Sequence, residues 1–358
     1  MKNLYFIAGE ASGDLIGQLL IKEFSNYSPI GVGGPLMQKE GLQEIGVYQD
    51  LQVMGITDVL FNLPTLLKRM KEIQNHILEV NPPAVIFIDA PDLTLNIAKK
   101  LRKKGYLGKL ILYVSPTVWA WKKGRIKTME KSLDLLLTLF PFEPPYYAHT
   151  KLPTHFVGHP LQEILPQPSS LKDQPLLALF PGSRKGEIKK TFPLLIEATK
   201  QFLKTHPDFK VALSISAEKH LPLLQSIAKP LENIQWVRKE DNHLLMDQAQ
   251  ISLATSGTIT LELAWFQTPT CVFYGLTSLE RMIAPLLGLN KIPYFCIVNK
   301  IENREVFPEL IKKGFEPKNV VQVMETLLNQ KSSINAWSQL QQETTPSKKA
   351  FERIKELL

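Results

Sequence analysis

Short, nearly continuous apolar runs recur along this chain, each followed by a stretch with helical spacing. LYFIA (4–8), AVIFID (84–89), LILYV (110–114) and LLLTLF (135–140) occupy the first part. LLALF (176–180), VALSI (211–215), IQWV (234–237), ISLAT (251–255) and TCVFY (270–274) occupy the second. A strand without polar alternation is covered on both faces, which is the condition of strands in a parallel sheet flanked by helices. Between the runs, Asp14–Phe24, Leu93–Lys104 and Arg125–Leu133 read as helices, the first from Leu15, Leu19, Leu20 and Phe24. The class expected is therefore α/β, built from repeated βαβ units.

The repeat is interrupted once. QEILPQPSSLKDQP (162–175) is rich in Pro, Ser and polar residues, as a linker or hinge would be. The expectation is two doubly wound, Rossmann-like domains facing each other across a cleft. Residues 1–165 form the first, 166–175 the linker and 176–330 the second, and 331–358 form a helical tail that could pack back on the first domain. The formal net charge of +8 favours anionic partners without choosing among them. No RNA-binding signature is present, so nucleic acid is not an expected partner. Two cysteines without a CxxC pattern read as packed, reduced thiols. MKNLYFIAGEASGD lacks the form of a signal peptide, and no run reaches the ~18–20 apolar residues of a membrane span. These features point to a cytoplasmic chain whose membrane contact, if any, is peripheral.

In open α/β sheets ligands bind at the carboxyl ends of strands. Asp89 ends AVIFID, at such an edge, where a carboxylate could take a proton from an attacking hydroxyl or serve only structure. Asp92 could cap the helix starting near Leu93. Glu10 follows the first strand in AGEASGD (8–14), whose small residues would let the backbone approach a ligand. It is not GxGxxG, so a dinucleotide is weakly supported. In LALFPGSRKGEI (177–188), Ser183 could cap a helix whose amides form an anion site, with Arg184 adding planar donors suited to phosphate. Arg184 could equally be an exposed arginine after an ordinary turn. ATSGTITLELAW (254–265) repeats the logic with Ser256, Gly257 and Thr258. Glu262, one turn further on, would repel a phosphate and suits sugar hydroxyls such as a ribose. The two junctions together read as a nucleoside diphosphate pocket. No D-x-D and no His/Cys zinc spacing occurs, so no metal and no cofactor are expected. YVSPTVWAWKKGRIK (113–127) is basic and aromatic, and MIAPLLGLNKIPYF (282–295) is apolar. The first is either packed Trp beside a solvated face or a surface that meets membrane or lipid phosphate.

AGEASGD, GVGGPLM (31–37), VMGITDVL (53–60), IDAPD (88–92), YVSPTVWAWKKGRI, PFE (141–143), FVGHPL (156–161), FPGSRKGEI (180–188), TSGTITLE (255–262) and VNKIENREVFPEL (298–310) occur in this order. The set resembles the lipid-A-disaccharide synthases. That resemblance implies a B-type glycosyltransferase fold, with the donor nucleotide mainly on the C-terminal domain. It implies an inverting, metal-independent reaction of UDP-2,3-diacylglucosamine with 2,3-diacylglucosamine 1-phosphate (lipid X). The products would be a β(1→6) disaccharide 1-phosphate and UDP, a step towards lipid A. It also implies a peripheral enzyme at the inner face of the Gram-negative inner membrane, meeting an anionic surface. By match to its motifs, Asp89 is the candidate general base and Glu10 orients acceptor or base. Arg184, Ser256, Gly257, Thr258, Glu262 and Asn299 fall in the UDP-binding set. The chain departs from the pattern at PELIKK (308–313), and its C-terminal tail is unmatched by the motifs, which leaves a homodimer through the tail open.

Overall fold

The structure, a computed structural model, describes residues 2–51, 56–120, 122–169, 172, 174–274, 293–311, 316–329, 334–340 and 345–358. The apolar stretch 282–295 lies outside them except for its last three residues, as do Trp121 and the end of PELIKK. The chain divides into two compact units, Met1–Glu163 with Leu340–Leu358, and Ile164–Gln339.

In the first unit, β1 (Lys2–Ala8), β2 (Tyr27–Val32), β3 (Gln43–Glu44), β4 (Ala84–Ile88), β5 (Lys109–Tyr113), β6 (Leu135–Thr138) and β7 (Thr154–Phe156) form one sheet. Its order is β3-β2-β1-β4-β5-β6-β7 and the pairing is parallel throughout. Successive side chains of a strand point to opposite faces. Tyr5, Ile7, Val85, Phe87, Leu110 and Leu112 accordingly join one core. Leu4, Phe6, Ile86, Ile88, Ile111 and Tyr113 join the other. Two buried faces are why these runs carry no polar alternation. The second core also takes in Ala350 and Ile354 of the tail helix Pro346–Lys355. Phe351 of that helix meets Phe24 edge-on at 4.8 Å. Glu163 fixes the helix start, accepting from the Ser347 amide (2.8 Å) and hydroxyl (2.6 Å).

The second unit repeats the plan with β8 (Leu176–Phe180), β9 (Lys210–Ile215), β10 (Gln235–Arg238), β11 (Ile251–Thr255), β12 (Thr270–Tyr274) and β13 (Glu309–Ile311). The order is β10-β9-β8-β11-β12-β13, again parallel. One face packs Leu177, Leu179, Leu213, Leu253 and Phe273 against helices Lys185–Thr205 and Pro317–Asn329. The described residues between 166 and 175 are fastened to this unit. The Pro166 carbonyl accepts from Trp265 Nε1 (2.7 Å), and the Ser169 amide donates to Asp247 (3.1 Å). Lys172 Nζ donates to the Ala249 carbonyl (2.9 Å) and Thr268 Oγ1 (3.0 Å). Burial lowers the Lys172 ammonium to about 8 despite the opposing charge of Asp247. Cys271 and Cys296 are buried free thiols. Among the described residues no helix is long and apolar enough to cross a membrane.

Each sheet has one place where neighbouring strands lead the chain in opposite directions across the sheet. In the first unit it lies between β1 and β4, in the second between β8 and β11. A crevice outside the carboxyl ends of such strands is where doubly wound sheets bind ligands.

Candidate active site

Glu10 and Asp89 sit at the first switch point. Glu10 is the exposed N-cap position of helix Ala11–Glu23, immediately after β1. Asp89 directly follows β4, its amide donating to the Tyr113 carbonyl (3.0 Å). Both Asp89 (φ 55°) and Ala90 (φ 45°) are left-handed. Such residues cost of order 1–3 kcal/mol each and persist only where the surroundings impose them. Thr94 helps impose them, its hydroxyl lying 3.1 Å from the carbonyls of both. Ser12 donates to Asp89 Oδ2 at 3.0 Å, joining the two loops.

Two expectations for these loops need correction. Gly9 and Gly13 are buried, and a Cβ would lie 2.8 Å from Leu93 Cδ2 and 3.1 Å from the Ile88 carbonyl respectively. Their lack of a Cβ lets the helix pack on the sheet, and the small residues left exposed in the motif are Ala11 and Ser12. Asp92 is not a cap. Pro91 opens the helix Pro91–Lys103, Ala90 is its N-cap residue, and no side chain caps it. Asp92 instead pairs with Lys122 (3.3 Å) and Arg125. Burial alone would raise its carboxyl. Arg125, with Lys122, more than offsets this and holds it below the usual carboxylate range. Asp14 of AGEASGD, not singled out from the sequence, is 3% exposed and accepts from the Leu36 and Met37 amides (3.1 and 3.0 Å). It thereby caps the short helix Pro35–Lys39 of the GVGGPLM motif.

Behind Asp89 lies a sealed polar group. Val114, just past β5, has φ 85°, a strained value for a β-branched residue. Next to it Ser115 is 2.7 Å from Tyr147 Oη. Glu143 of PFE accepts from the Leu139 and Phe140 amides (3.1 and 3.0 Å). Burial pushes its carboxyl up to about 8 against the pull of those amides and of Ser115. His159 is lowered to about 4 by burial.

At the second switch point β8 runs into Pro181, Gly182 (φ 95°) and the exposed Ser183 and Arg184. A Cβ on Gly182 would sit 3.1 Å from Thr255 Oγ1, so the turn needs glycine twice over. Ser183 is not the N-cap; Arg184 is, ahead of helix Lys185–Thr205. Helix entry falls one residue later than expected because the turn is pinned from behind. Ser216 donates to the Gly182 carbonyl (2.8 Å) and His220 Nε2 to the Ser183 carbonyl (3.0 Å). The Arg184 side chain is 80% exposed and, among the described residues, pairs with Glu187 alone (3.2 Å), so its fork can turn to an incoming anion. After β11, Ser256 donates to the Phe295 carbonyl (3.1 Å), and Gly257 and Thr258 are exposed. Glu262, on helix Ile259–Trp265, has its carboxyl raised to about 7 by burial, with Lys239 opposing. Among the described residues its carboxylate has no hydrogen-bond partner.

Asn299 is placed differently from a ligand-contacting residue. It is fully buried, donates to the Phe307 carbonyl (2.7 Å) and Glu309 (2.8 Å), and accepts from the Val306 and Phe307 amides (both 2.8 Å). Glu309 also accepts from the Phe295 and Cys296 amides (2.9 and 3.0 Å). VNKIENREVFPEL thus folds on itself, with the Asn299 amide consumed in holding it.

Residues 4–356 match the Lipid-A-disaccharide synthetase family model, a span that includes the tail left unmatched by the motifs. A lipid-A-disaccharide synthase of Chlamydia pneumoniae is 36% identical over 92% of this chain, which spans 57% of that relative's length. The synthase of Idiomarina loihiensis is 35% identical over 90% of this chain and 89% of its own. The solved structure of the calicheamicin glycosyltransferase CalG4 matches with a TM-score of 0.61 at 13% identity, covering 100% of this chain and 98% of that one. That last likeness bears on the fold alone. A family model that spans residues 4–356, and relatives at this identity over most of the chain, show that the chain belongs to the lipid-A-disaccharide synthase family.

Proposed function

We propose that the chain transfers a diacylated glucosamine from UDP-2,3-diacylglucosamine to the 6-hydroxyl of 2,3-diacylglucosamine 1-phosphate. Asp89 takes the hydroxyl proton as the oxygen bonds to the donor's anomeric carbon. The bond from that carbon to the diphosphate breaks, and UDP leaves with inversion to the β(1→6) product. Glu10 and Ser12 orient Asp89 and the acceptor. Arg184, the Ser183 junction and the Ser256–Gly257–Thr258 turn stabilise charge on the departing diphosphate by charge-assisted and backbone hydrogen bonds. Glu262 accepts from ribose hydroxyls, and Asn299 acts indirectly, by holding the loop that receives Ser256. The first unit is thus the acceptor side and the second the donor side. A peripheral position at the inner face of the inner membrane accords with acylated substrates. Leu63 and Leu67, one turn apart on helix Ile56–Val80, support it by being 40% and 46% exposed.

The observation that carries this reading is the opposite chemistry of the two switch points. Carboxylates follow β1 and β4, and an arginine, hydroxyls and glycines follow β8 and β11. UDP release by purified protein in detergent tests it. Release is expected only when both diacylated sugars are present. Release from UDP-N-acetylglucosamine without lipid would indicate another UDP-sugar enzyme, and UDP binding without turnover a silent binding protein.

A further inference from the structure

Glu143, Ser115 and Tyr147 form a buried polar group that the reaction above leaves unused. They are 2%, 7% and 2% exposed. The group belongs to the row of strand ends that carries Asp89. β4, β5 and β6 are neighbours in the sheet, paired through Ile88↔Tyr113 and Tyr113↔Leu137. Single backbone bonds continue the row past the strands. The Asp89 amide donates to the Tyr113 carbonyl (3.0 Å) and the Val114 amide to the Leu137 carbonyl (3.1 Å). Asp89 thus lies two strand spacings, about 10 Å, from the loop after β6, and the start of the loop after β5 lies between them. Two neighbouring strand ends on this line are left-handed without glycine. They are Asp89 and Ala90 after β4, and Val114 after β5. Strain of this kind persists only where the surroundings impose it.

What lies behind Val114 can impose it. Ser115 Oγ is 2.7 Å from Tyr147 Oη and 3.2 Å from the Pro116 carbonyl. Glu143 Oε2 accepts from both the Leu139 and Phe140 amides, which fixes the loop after β6. Burial raises the Glu143 carboxyl to about 8, and the Phe140 and Leu139 amides and Ser115 oppose it. One side chain is therefore shared by the loops after β5 and β6. Near neutral pH it is mostly a neutral acid, which accepts through one oxygen and donates through the other. A glutamine amide offers the same pair of functions.

We infer that Glu143 is a positioning residue for the transfer, bracing the loop after β6 against Ser115 and so holding the Val114 turn against which Asp89 is set. The inference rests on the reading of Asp89 as the acceptor-side base. It gives PFE a task about two strand spacings from that base.

The test measures UDP release with both diacylated sugars for wild type, Glu143→Ala, Glu143→Gln, Ser115→Ala and Asp89→Ala. UDP affinity is read by calorimetry, and circular dichroism checks that each protein is folded. Glu143→Ala should lower kcat by about 10- to 100-fold, with UDP affinity and both KM values within about threefold of wild type, because a small misplacement of a reacting group is costly. Glu143→Gln should restore kcat to within about threefold of wild type. Ser115→Ala should lower kcat about 3- to 10-fold, and it decides the matter if Glu143→Ala does not fold. In an Asp89→Ala background, Glu143→Ala should cost less than about twofold more, since the two act as a unit. Wild-type kcat in Glu143→Ala or in Ser115→Ala overturns the inference. So does a Glu143→Gln enzyme as slow as Glu143→Ala, a rise in KM at unchanged kcat, or a full further loss in the Asp89→Ala background. If Asp89→Ala keeps its kcat, the base reading falls and takes the brace with it. If Asp89→Ala loses kcat and Glu143→Ala does not, the base stands and only the brace falls.

Discussion

At the end of β4 the chain turns through Asp89 and Ala90, both left-handed and neither a glycine. At the end of β8 it makes its turn through Gly182, the residue that adopts such angles freely. Strand order and switch position are the same in the two units. What differs is whether a side chain is kept where the backbone would prefer none. The first unit tolerates strain there and has a carboxylate at the strand's edge. The second relaxes the backbone and offers arginine, hydroxyls and amides. The common topology sets where chemistry can happen, and the turn residues set which chemistry it is.

The sharpest way to break this comparison is to remove one side chain from each turn. Asp89→Ala should lower kcat by about 10²–10⁴-fold, while UDP affinity, read by calorimetry, changes less than about twofold. Arg184→Ala should weaken UDP binding and also slow turnover, because its charge acts on the bound and the departing diphosphate. If Asp89→Ala abolished UDP binding, the division of labour would be wrong. A smaller effect concerns pH. A carboxylate accepts ribose hydroxyls best when ionised, and burial has raised Glu262 to about 7. UDP affinity should therefore rise by up to roughly tenfold from about pH 6 to about pH 8, and Glu262→Gln should flatten that rise. A fall with pH would remove Glu262 from the ribose. The smallest effect is on the acid side. Ser12→Ala removes one neutral donor to Asp89 and should cost about 2- to 10-fold in kcat, with UDP affinity intact.

Most of the fold was legible because burial on two faces leaves an unmistakable mark on a strand. β2 escaped because Pro29 and Gly31 interrupt the apolar pattern by which the other strands were read. In fact Gly31 (φ 131°) is glycine because a Cβ would lie 2.2 Å from the Phe6 carbonyl of the neighbouring strand. β3, β7 and β13 are two or three residues long, too short for any pattern to show. At the site, Asp89, Glu10, Arg184 and Glu262 could be picked out because apolar runs mark where strands stop. The contacts that give them roles could not. Ser12 and Asp89 are 77 positions apart. The Asp92 pair with Arg125 spans 33. Asn299 looked like a ligand contact because a motif records only that a residue matters. Whether its amide faces a nucleotide or its own loop depends on a fold around it that spacing does not encode.

The tail helix has a consequence for how the molecule is made. Its Ala350 and Ile354 complete a core begun by Leu4 and Phe6. Everything from Ile164 to Gln339 is therefore an insertion within the first unit. A ribosome delivers the chain in order, and domains fold as units as they emerge. The second unit has all its residues while the first still lacks its last helix. Until then the groove along helix Ala11–Glu23, with Leu20 and Phe24, waits open, and the first unit is the last to close.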